Sequence, residues 1–375
     1  MRTAISERLG VEFPLFAFSH CRDVVAAVTN AGGFGVLGAI AYTPEQLDVE
    51  LSWIDEHVGG RPYGVDVLVP GKVDPAALDL SAHLADFIPE RHRDFVAHLL
   101  SKYGVSAPPQ PMGGSADEFG RRVTVAGATG LIDVALKHPI GLIASALGPP
   151  PPEMVAAARQ AGVPVAALVG TVEHAHRQVA AGADLIVAQG TEAGGHTGEI
   201  ATMVLVPQVV DAVAPVPVLA AGGIADGRQM AAAMALGAQG VWCGSVWLTT
   251  EEAETPPSVK RKMLAASSLD TVRSRSRTGK PARQLRSAWT EEWDSAPESP
   301  GALAMPLQIL VAEAAMARIG AAAERGEPGA VELANYYVGQ VVGQLGQVRP
   351  AREVVYAMVS EFADAVERLG RLSAD

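Results

Sequence analysis

Short apolar runs recur along the chain, each followed by a stretch in which apolar positions repeat at helical spacing. Phe13–Phe18 reads as a first strand, and Asp23–Ala31 as a helix that Gly32-Gly33 ends. Phe34–Ala39 reads as the second strand. Thr43-Pro44-Glu45-Gln46 opens the next helix, with Thr43 as N-cap and Pro44 in the first turn. Tyr63–Val69 is the third strand. From residue 140 onward the rhythm is regular. Strands are predicted at Ile140–Leu147, Val163–Val169, Asp184–Gln189, Val216–Ala221 and Gly240–Leu248, with helices over 152–160, 172–181, 204–213 and 227–236 between them. The strand runs are almost wholly apolar, as strands buried on both faces are. Helical connections imply a parallel sheet with right-handed crossovers, and eight strands fit a closed barrel. The predicted fold class is α/β, a (β/α)8 TIM barrel with a small added helical domain.

Two stretches depart from that rhythm. Residues 71–136 hold helical patches at Asp79–Asp86 and Glu90–Lys102 and a loop at Ala107–Ser115, and read as a helical insertion on the third βα unit. Residues 250–340 hold helices at Ser258–Ser267 and Pro306–Ile319, joined by a basic, polar segment from Thr271 to Arg286. The expected organisation is a barrel over 1–249, a helical substrate-side subdomain over 250–340, and a C-terminal segment, 341–375. The last helix of that segment, Ala351–Leu369, returns to the barrel wall.

Composition narrows the function. Apolar residues make up 49% of the 375, enough for a large core, while aromatics are only 5%. An Ala- and Val-rich chain suits helices packed closely on a sheet. The net charge of −12 argues against a nucleic-acid surface, but leaves room for phosphate, which backbone amides bind without side-chain charge. The two cysteines, Cys21 and Cys243, offer neither a disulfide framework nor a zinc spacing, and no metal is expected. With no signal region and no membrane-length apolar run, a cytoplasmic, membrane-free protein is expected.

Three segments carry candidate chemistry. Gly33-Phe-Gly35-Val-Leu-Gly38 matches a dinucleotide fingerprint, but a helix precedes it and a strand follows, the reverse of what the fingerprint needs. It reads as a tight helix-to-strand turn. The seventh predicted strand ends in Gly222-Gly223, and the eighth carries Trp242-Cys243-Gly244-Ser245. Loops at these two places form the phosphate site of many barrels, and glycine lets backbone N–H groups come close. Finally, Gln189 ends the sixth strand and leads into Gly190-Thr-Glu-Ala-Gly-Gly-His196-Thr-Gly198. Four glycines in that run serve neither helix nor strand. They let backbone lie flat against a ligand, with His196 the one histidine on such a loop. His174 and His176 face different sides of a helix and read as solvated; His83, His92 and His98 read as surface residues. His20, after the first strand, lies within reach of the barrel mouth.

The segments 188–198, 217–224 and 237–245 together resemble the nitronate monooxygenase family. Asn30–Gly38, Thr43–Gln46, Thr278–Arg283 and Val338–Gly343 are similar too. The resemblance implies an FMN-dependent barrel that oxidises an alkyl nitronate with O2 to a carbonyl compound and nitrite. On it, Gln189 and Gly194, with Gly195 beside them, contact the flavin. Gly222, Gly223 and Trp242, Cys243, Gly244 and Ser245 hold its phosphate end, and His196 is the active-site histidine. Two positions depart from the family pattern: a Pro-Met pair is replaced by Ala17-Phe-Ser-His-Cys-Arg22, and an Asn near the flavin is Asp66. An ionised Asp only accepts hydrogen bonds. Asp66 therefore contacts an N–H or hydroxyl, or turns away, or is protonated, and is expected to lower the flavin potential. Two alternatives stand beside this reading. One is an NAD(P)H-dependent flavin reductase of enoyl CoA thioesters or quinones, whose phosphorylated substrate the basic segment 273–286 attracts unless that segment is merely a solvated face. The other is a flavin-binding protein without turnover. A homodimer is an open option for the assembly.

Overall fold

The computed structural model describes residues 1–68, 86–106 and 125–372, with side chains of the helix Val125–Ala135 described from residue 128 onward. The expected loop Ala107–Ser115, His83, and all but the last residue of the patch Asp79–Asp86 lie outside the described residues.

Eight parallel strands close a barrel: β1 (Leu15–Ser19), β2 (Phe34–Gly38), β3 (Gly64–Leu68), β4 (Leu142–Ala146), β5 (Val165–Val169), β6 (Leu185–Gln189), β8 (Val218–Ala221) and β9 (Val241–Cys243), with β9 returning to pair with β1. A two-residue strand β7 (Gly195–His196) stands outside the barrel, between β6 and β8 in sequence. The predicted TIM barrel is therefore what the chain forms. Each observed strand lies at or within a residue of its predicted run except the last, which is cut short. After Cys243 the chain turns at Gly244 into a 3-10 turn, Ser245–Trp247, instead of continuing to Leu248.

Alternation along each strand sorts the side chains into two layers. Phe16, Phe34, Val36, Leu142, Ala144, Ala166, Leu185, Val187, Leu219, Ala221 and Trp242 fill the barrel interior as one buried cluster. Ile5 and Leu9 of the short N-terminal helix Ala4–Leu9 join it and plug the end from which the strands start. The intervening residues, such as Ala17, Leu37, Val65, Ile143, Ala188 and Cys243, face the surrounding helices. This double burial is why the strands read as continuous apolar runs. Gly33 and Gly35 fit the same logic: a Cβ on Gly35 would lie 2.4 Å from the carbonyl oxygen of Val25, so glycine lets the preceding helix sit directly on β2.

By the same alternation, Asp66 and Gln189 point inward, at the end of the barrel where the strands finish. Among the described residues Asp66 is the one charged side chain on the inner face of the eight strands.

Residues 250–340 contain the helices Pro257–Ala265, Ala288–Ser295, Leu307–Glu324 and Pro328–Leu333. They also contain a feature the periodicity does not reveal. The basic segment folds as an antiparallel hairpin, β10 (Thr271–Ser274) with β11 (Ala282–Leu285), and β11 pairs with β7. The segment is thus not a solvated face: Arg277, Arg283 and Gln284 are buried in it. His92 is likewise not a surface residue. It is buried, its Nε2 lies 3.0 Å from the carbonyl oxygen of Gly301, and its ring stacks with Trp293. His174 and His176 are exposed. The C-terminal helix Ala351–Leu372 packs against the barrel helices Gly227–Ala235 and Arg22–Asn30. No described helix is long and apolar enough to cross a membrane.

Candidate active site at the barrel mouth

The glycine-rich segment begins where β6 ends and is tied down from three sides. The Glu192 carboxylate accepts the Thr202 backbone N–H (3.0 Å) and hydroxyl (2.9 Å), capping the helix Thr202–Val213. Carboxylates are favoured at that helix end. The Thr202 hydroxyl also lies 2.9 Å from the Gly222 carbonyl, so the loops after β6 and β8 share this residue. Gly190 is obligatory here, because a Cβ would sit 2.0 Å from Thr202 Oγ1. From the far end of the chain, Val338-Gly339-Gln340 threads between these loops. Gln340 N–H donates to the Glu192 carbonyl (2.9 Å), and Gly339 N–H donates to Ser245 Oγ (2.7 Å). A Cβ on Gly194 would meet the Val338–Gly339 backbone at 2.9 Å, so this glycine is required by a crossing chain as much as by any ligand.

The hairpin completes the clamp. Arg283 donates to the Thr191 carbonyl (2.9 Å) and the Thr271 hydroxyl (3.0 Å), and Arg273 donates to the Thr197 carbonyl (3.2 Å). His196, in register with Ala282, places Nε2 at 2.8 Å from Thr278 Oγ1. Thr278 Oγ1 also lies 3.1 Å from the Lys280 carbonyl, an acceptor that takes its hydroxyl proton. The hydroxyl therefore accepts from His196 Nε2–H, and the Nδ1 lone pair of His196 is left free. Burial, with the Lys280 charge, lowers the pKa of His196 to about 4. The ring is neutral at neutral pH.

The loops after β8 and β9 present backbone. Gly222 and Gly223 both adopt left-handed conformations, φ 93° and 71°, which favour glycine. Among the described residues, the backbone N–H groups of Gly223, Gly244 and Ser245 lie outside the strand ladders and donate to no backbone carbonyl. Unpaired amides at neighbouring strand ends fit an anionic oxygen group such as a phosphate. A cavity of about 320 Å³ adjoins these loops, lined by Ala225, Val246, Thr249 and Arg349 among others. The side chains of Trp242 and Cys243 do not reach the mouth. Trp242 packs inside the barrel on Phe16 and Phe18, and the Cys243 thiol, pushed up to about 12 by burial, faces the helices. Whatever these two offer a ligand comes from backbone. Gly195, with φ 76° and nothing within 4 Å of a Cβ position, lies open.

The opposite wall is made of side chains. Gly38 of β2 is the register partner of Asp66. The His20 ring packs on Gly38 so closely that a Cβ there would lie 2.6 Å from it. His20 Nδ1–H donates to the Gly38 carbonyl (3.0 Å), leaving Nε2 free. Tyr42 donates to the His20 carbonyl (2.5 Å) and so fixes the loop after β1. Desolvation lowers the pKa of His20 and raises that of Asp66 to about 7. Asp66 is 5% exposed, with no hydrogen-bond or ion-pair partner among the described residues. It has not turned away from the mouth. The roles of Glu192, Thr278 and Gly339 in tying the site together were not legible locally: their partners lie ten to 148 residues away.

Known proteins resemble this chain along its length. The family model for nitronate monooxygenase matches residues 9–361. A Mycobacterium tuberculosis protein, provisionally named a monooxygenase, is 62% identical over 374 residues, 98% of each chain. A hydroxy-methyl-oxo-octahydro-indene-carboxyl-CoA dehydrogenase of Rhodococcus jostii is 32% identical over 289 residues, 76% of this chain and 66% of its own. Among solved structures, the nitroalkane oxidase of Streptomyces ansochromogenes superposes with a TM-score of 0.77 at 28% identity, covering 98% of this chain and 100% of that one. The chain belongs to the nitronate monooxygenase family of flavin-dependent oxidoreductases.

Proposed function

We propose that this chain binds FMN at the barrel mouth and oxidises alkyl nitronates with O2 to a carbonyl compound and nitrite. The observation that carries the reading is the pairing, across one mouth, of three unpaired backbone amides, those of Gly223, Gly244 and Ser245, with a neutral, positioned histidine. Gly222, Gly223, Gly244 and Ser245 would hold the phosphate; Gln189, Gly195 and Asp66 line the space for the ring. FMN supplies the electron-accepting chemistry when bound. His196 is the catalytic residue of this reading. With Nε2–H held by Thr278, it keeps Nδ1 available as a hydrogen-bond acceptor and weak base. A base with a pKa of about 4 is too weak to strip a proton from a nitroalkane carbon, so the site suits a substrate that arrives already as the nitronate. The clamp of β7 against β11 keeps the histidine from rotating away, which is the preorganisation that positional catalysis needs.

A second reading has one observation in its favour. The Rhodococcus jostii relative acts on a CoA thioester, and Arg275, Lys280 and Arg286 are exposed in or beside the hairpin. On that reading those cations receive the phosphates of a CoA substrate. The test is anaerobic bleaching of the FMN-loaded protein. Bleaching by ethylnitronate, and not by NAD(P)H, is the expected result. Bleaching by NAD(P)H or a CoA thioester alone removes the nitronate activity and leaves the reductase or dehydrogenase reading.

A further inference from the structure

Asp66 is an unusual residue to find where it is. It faces into a barrel whose other inward strand residues are apolar, glycine or Gln189. Its neighbours in register are Gly38 on β2 and Ala144 on β4, neither of which offers a side-chain donor. No Lys or Arg among the described residues pairs with it, and burial is the sole influence on its ionisation. A carboxylate buried without a partner carries a large desolvation penalty, which protonation removes. The His20 ring covers Gly38, the register partner of Asp66, and takes the place of an inward side chain on the neighbouring strand. His20 is open to solvent and its Nε2 carries no hydrogen bond among the described residues. His196 stands over β6, four strands around the barrel from β2. The remaining charged groups of this wall, Arg22, Asp23, Glu50 and Glu254, gather around Cys21 and Tyr42, away from the barrel interior.

We propose that Asp66 holds a proton in the barrel mouth and donates it as a hydrogen bond to the bound flavin, with His20 the group through which that proton exchanges with solvent. The inference rests on the flavin reading above and adds to it a control of the flavin by pH. In the protonated form Asp66 is a neutral donor and leaves reduction of the flavin unopposed. Once ionised, it places a negative charge beside a ring that gains negative charge on reduction, and reduction becomes less favourable. The potential-lowering effect expected from sequence is therefore not constant. It is absent on the acid side of the Asp66 transition and appears above it.

The experiment is potentiometric titration of the FMN-loaded protein between pH 5 and pH 9, for wild type, Asp66→Asn and His20→Gln, with FMN stoichiometry and absorption spectrum confirming that each variant is loaded. Wild type is expected to show a break near pH 7, above which one additional proton is taken up per flavin reduced. Asp66→Asn, which keeps the shape and stays neutral, should lose the break and match wild type at pH 5. His20→Gln should keep the break and slow the re-equilibration of the potential after a pH jump. A break that persists in Asp66→Asn overturns the proposal, as does one lost in His20→Gln, which assigns the proton to the histidine or to both groups jointly. A wild-type protein that does not load FMN overturns the functional reading itself and this inference with it. Normal loading with superimposable profiles overturns this inference alone.

Discussion

The two walls of the barrel mouth are built on opposite principles. The wall from β6 to β9 is backbone: glycines at 190, 194, 195, 222, 223 and 244, amides left open, and a histidine held by a hairpin, with the Thr191, Glu192, Thr197 and Gly222 carbonyls tied to donors from elsewhere in the chain. The wall from β1 to β3 is side chain: His20 and Asp66, one open to solvent, the other buried, and neither neutralised by a counter-ion. The first wall is rigid and indifferent to pH near neutrality, since His196 titrates only at about 4. The second can change charge in the neutral range. On the proposed reading, one wall therefore fixes where the flavin sits, and the other sets the electrostatic field it sits in.

Five substitutions probe this division. The largest effect is expected at His196. His196→Asn should lower kcat/KM for a nitronate by about 100-fold to 10,000-fold, the range for loss of a positioned acid–base group. Near-normal turnover in steady-state assays would move catalysis off the glycine wall. Next is Asp66→Asn in the cofactor-free protein. A folded pKa raised from 3.8 to about 7 means that native structure favours the neutral form. Asp66 therefore costs nothing below pH 3.8, and stability is lost progressively as pH rises toward 7. At pH 8 the variant should be more stable by up to about 4 kcal/mol, and at pH 3.5 unchanged. Denaturant melts at the two pH values test this, and equal gains at both would contradict the buried-charge account.

Gly194→Ala should cost about 1–3 kcal/mol, because its Cβ would press on the Val338–Gly339 backbone, which a flexible side chain cannot relieve. Gly195→Ala, at the next residue, has open space but a strained φ of 76° and should cost about 1 kcal/mol. Similar melting temperatures for wild type and Gly194→Ala would show that the threaded segment yields. The smallest effect is expected for Thr278→Val. Loss of one hydrogen bond to His196, worth about 1 kcal/mol, should lower kcat about fivefold with little change in KM. A change confined to KM would place Thr278 in substrate binding instead of in positioning.

The glycine wall was largely legible in the sequence and the side-chain wall was not. Glycines clustered at strand ends have no role in strand or helix stability, so they announce a backbone-built site wherever they occur. His196 is conspicuous for the same reason. Asp66 drew notice only as a departure from a family pattern, and its state depends on what surrounds it: Gly38, Ala144 and the absence of a cation, none of them adjacent in sequence. The basic stretch 271–286 was misleading in a different way. Alternating Arg and Ser residues look solvated, and Arg275 and Arg286 are exposed, but Arg273, Arg277 and Arg283 have acceptors on other segments, Thr197, Asn335, Glu313 and Thr191, which local periodicity cannot show. The barrel, by contrast, follows from strand length and apolarity, which are local.

The threading of Val338-Gly339-Gln340 between the loops after β6 and β9 has a consequence for how the protein is made. A ribosome releases the barrel strands in order, and domains begin to fold as they emerge. All eight strands are out of the exit tunnel long before residue 339 is, yet Ser245 and Glu192 find their partners only then. A barrel still attached to the ribosome thus holds an unfinished pocket with its floor in place and its latch missing. On the proposed flavin reading, a chain cut short before residue 338 lacks the Gly339 and Gln340 donors to Ser245 and Glu192 and is expected to load cofactor more weakly than the full chain.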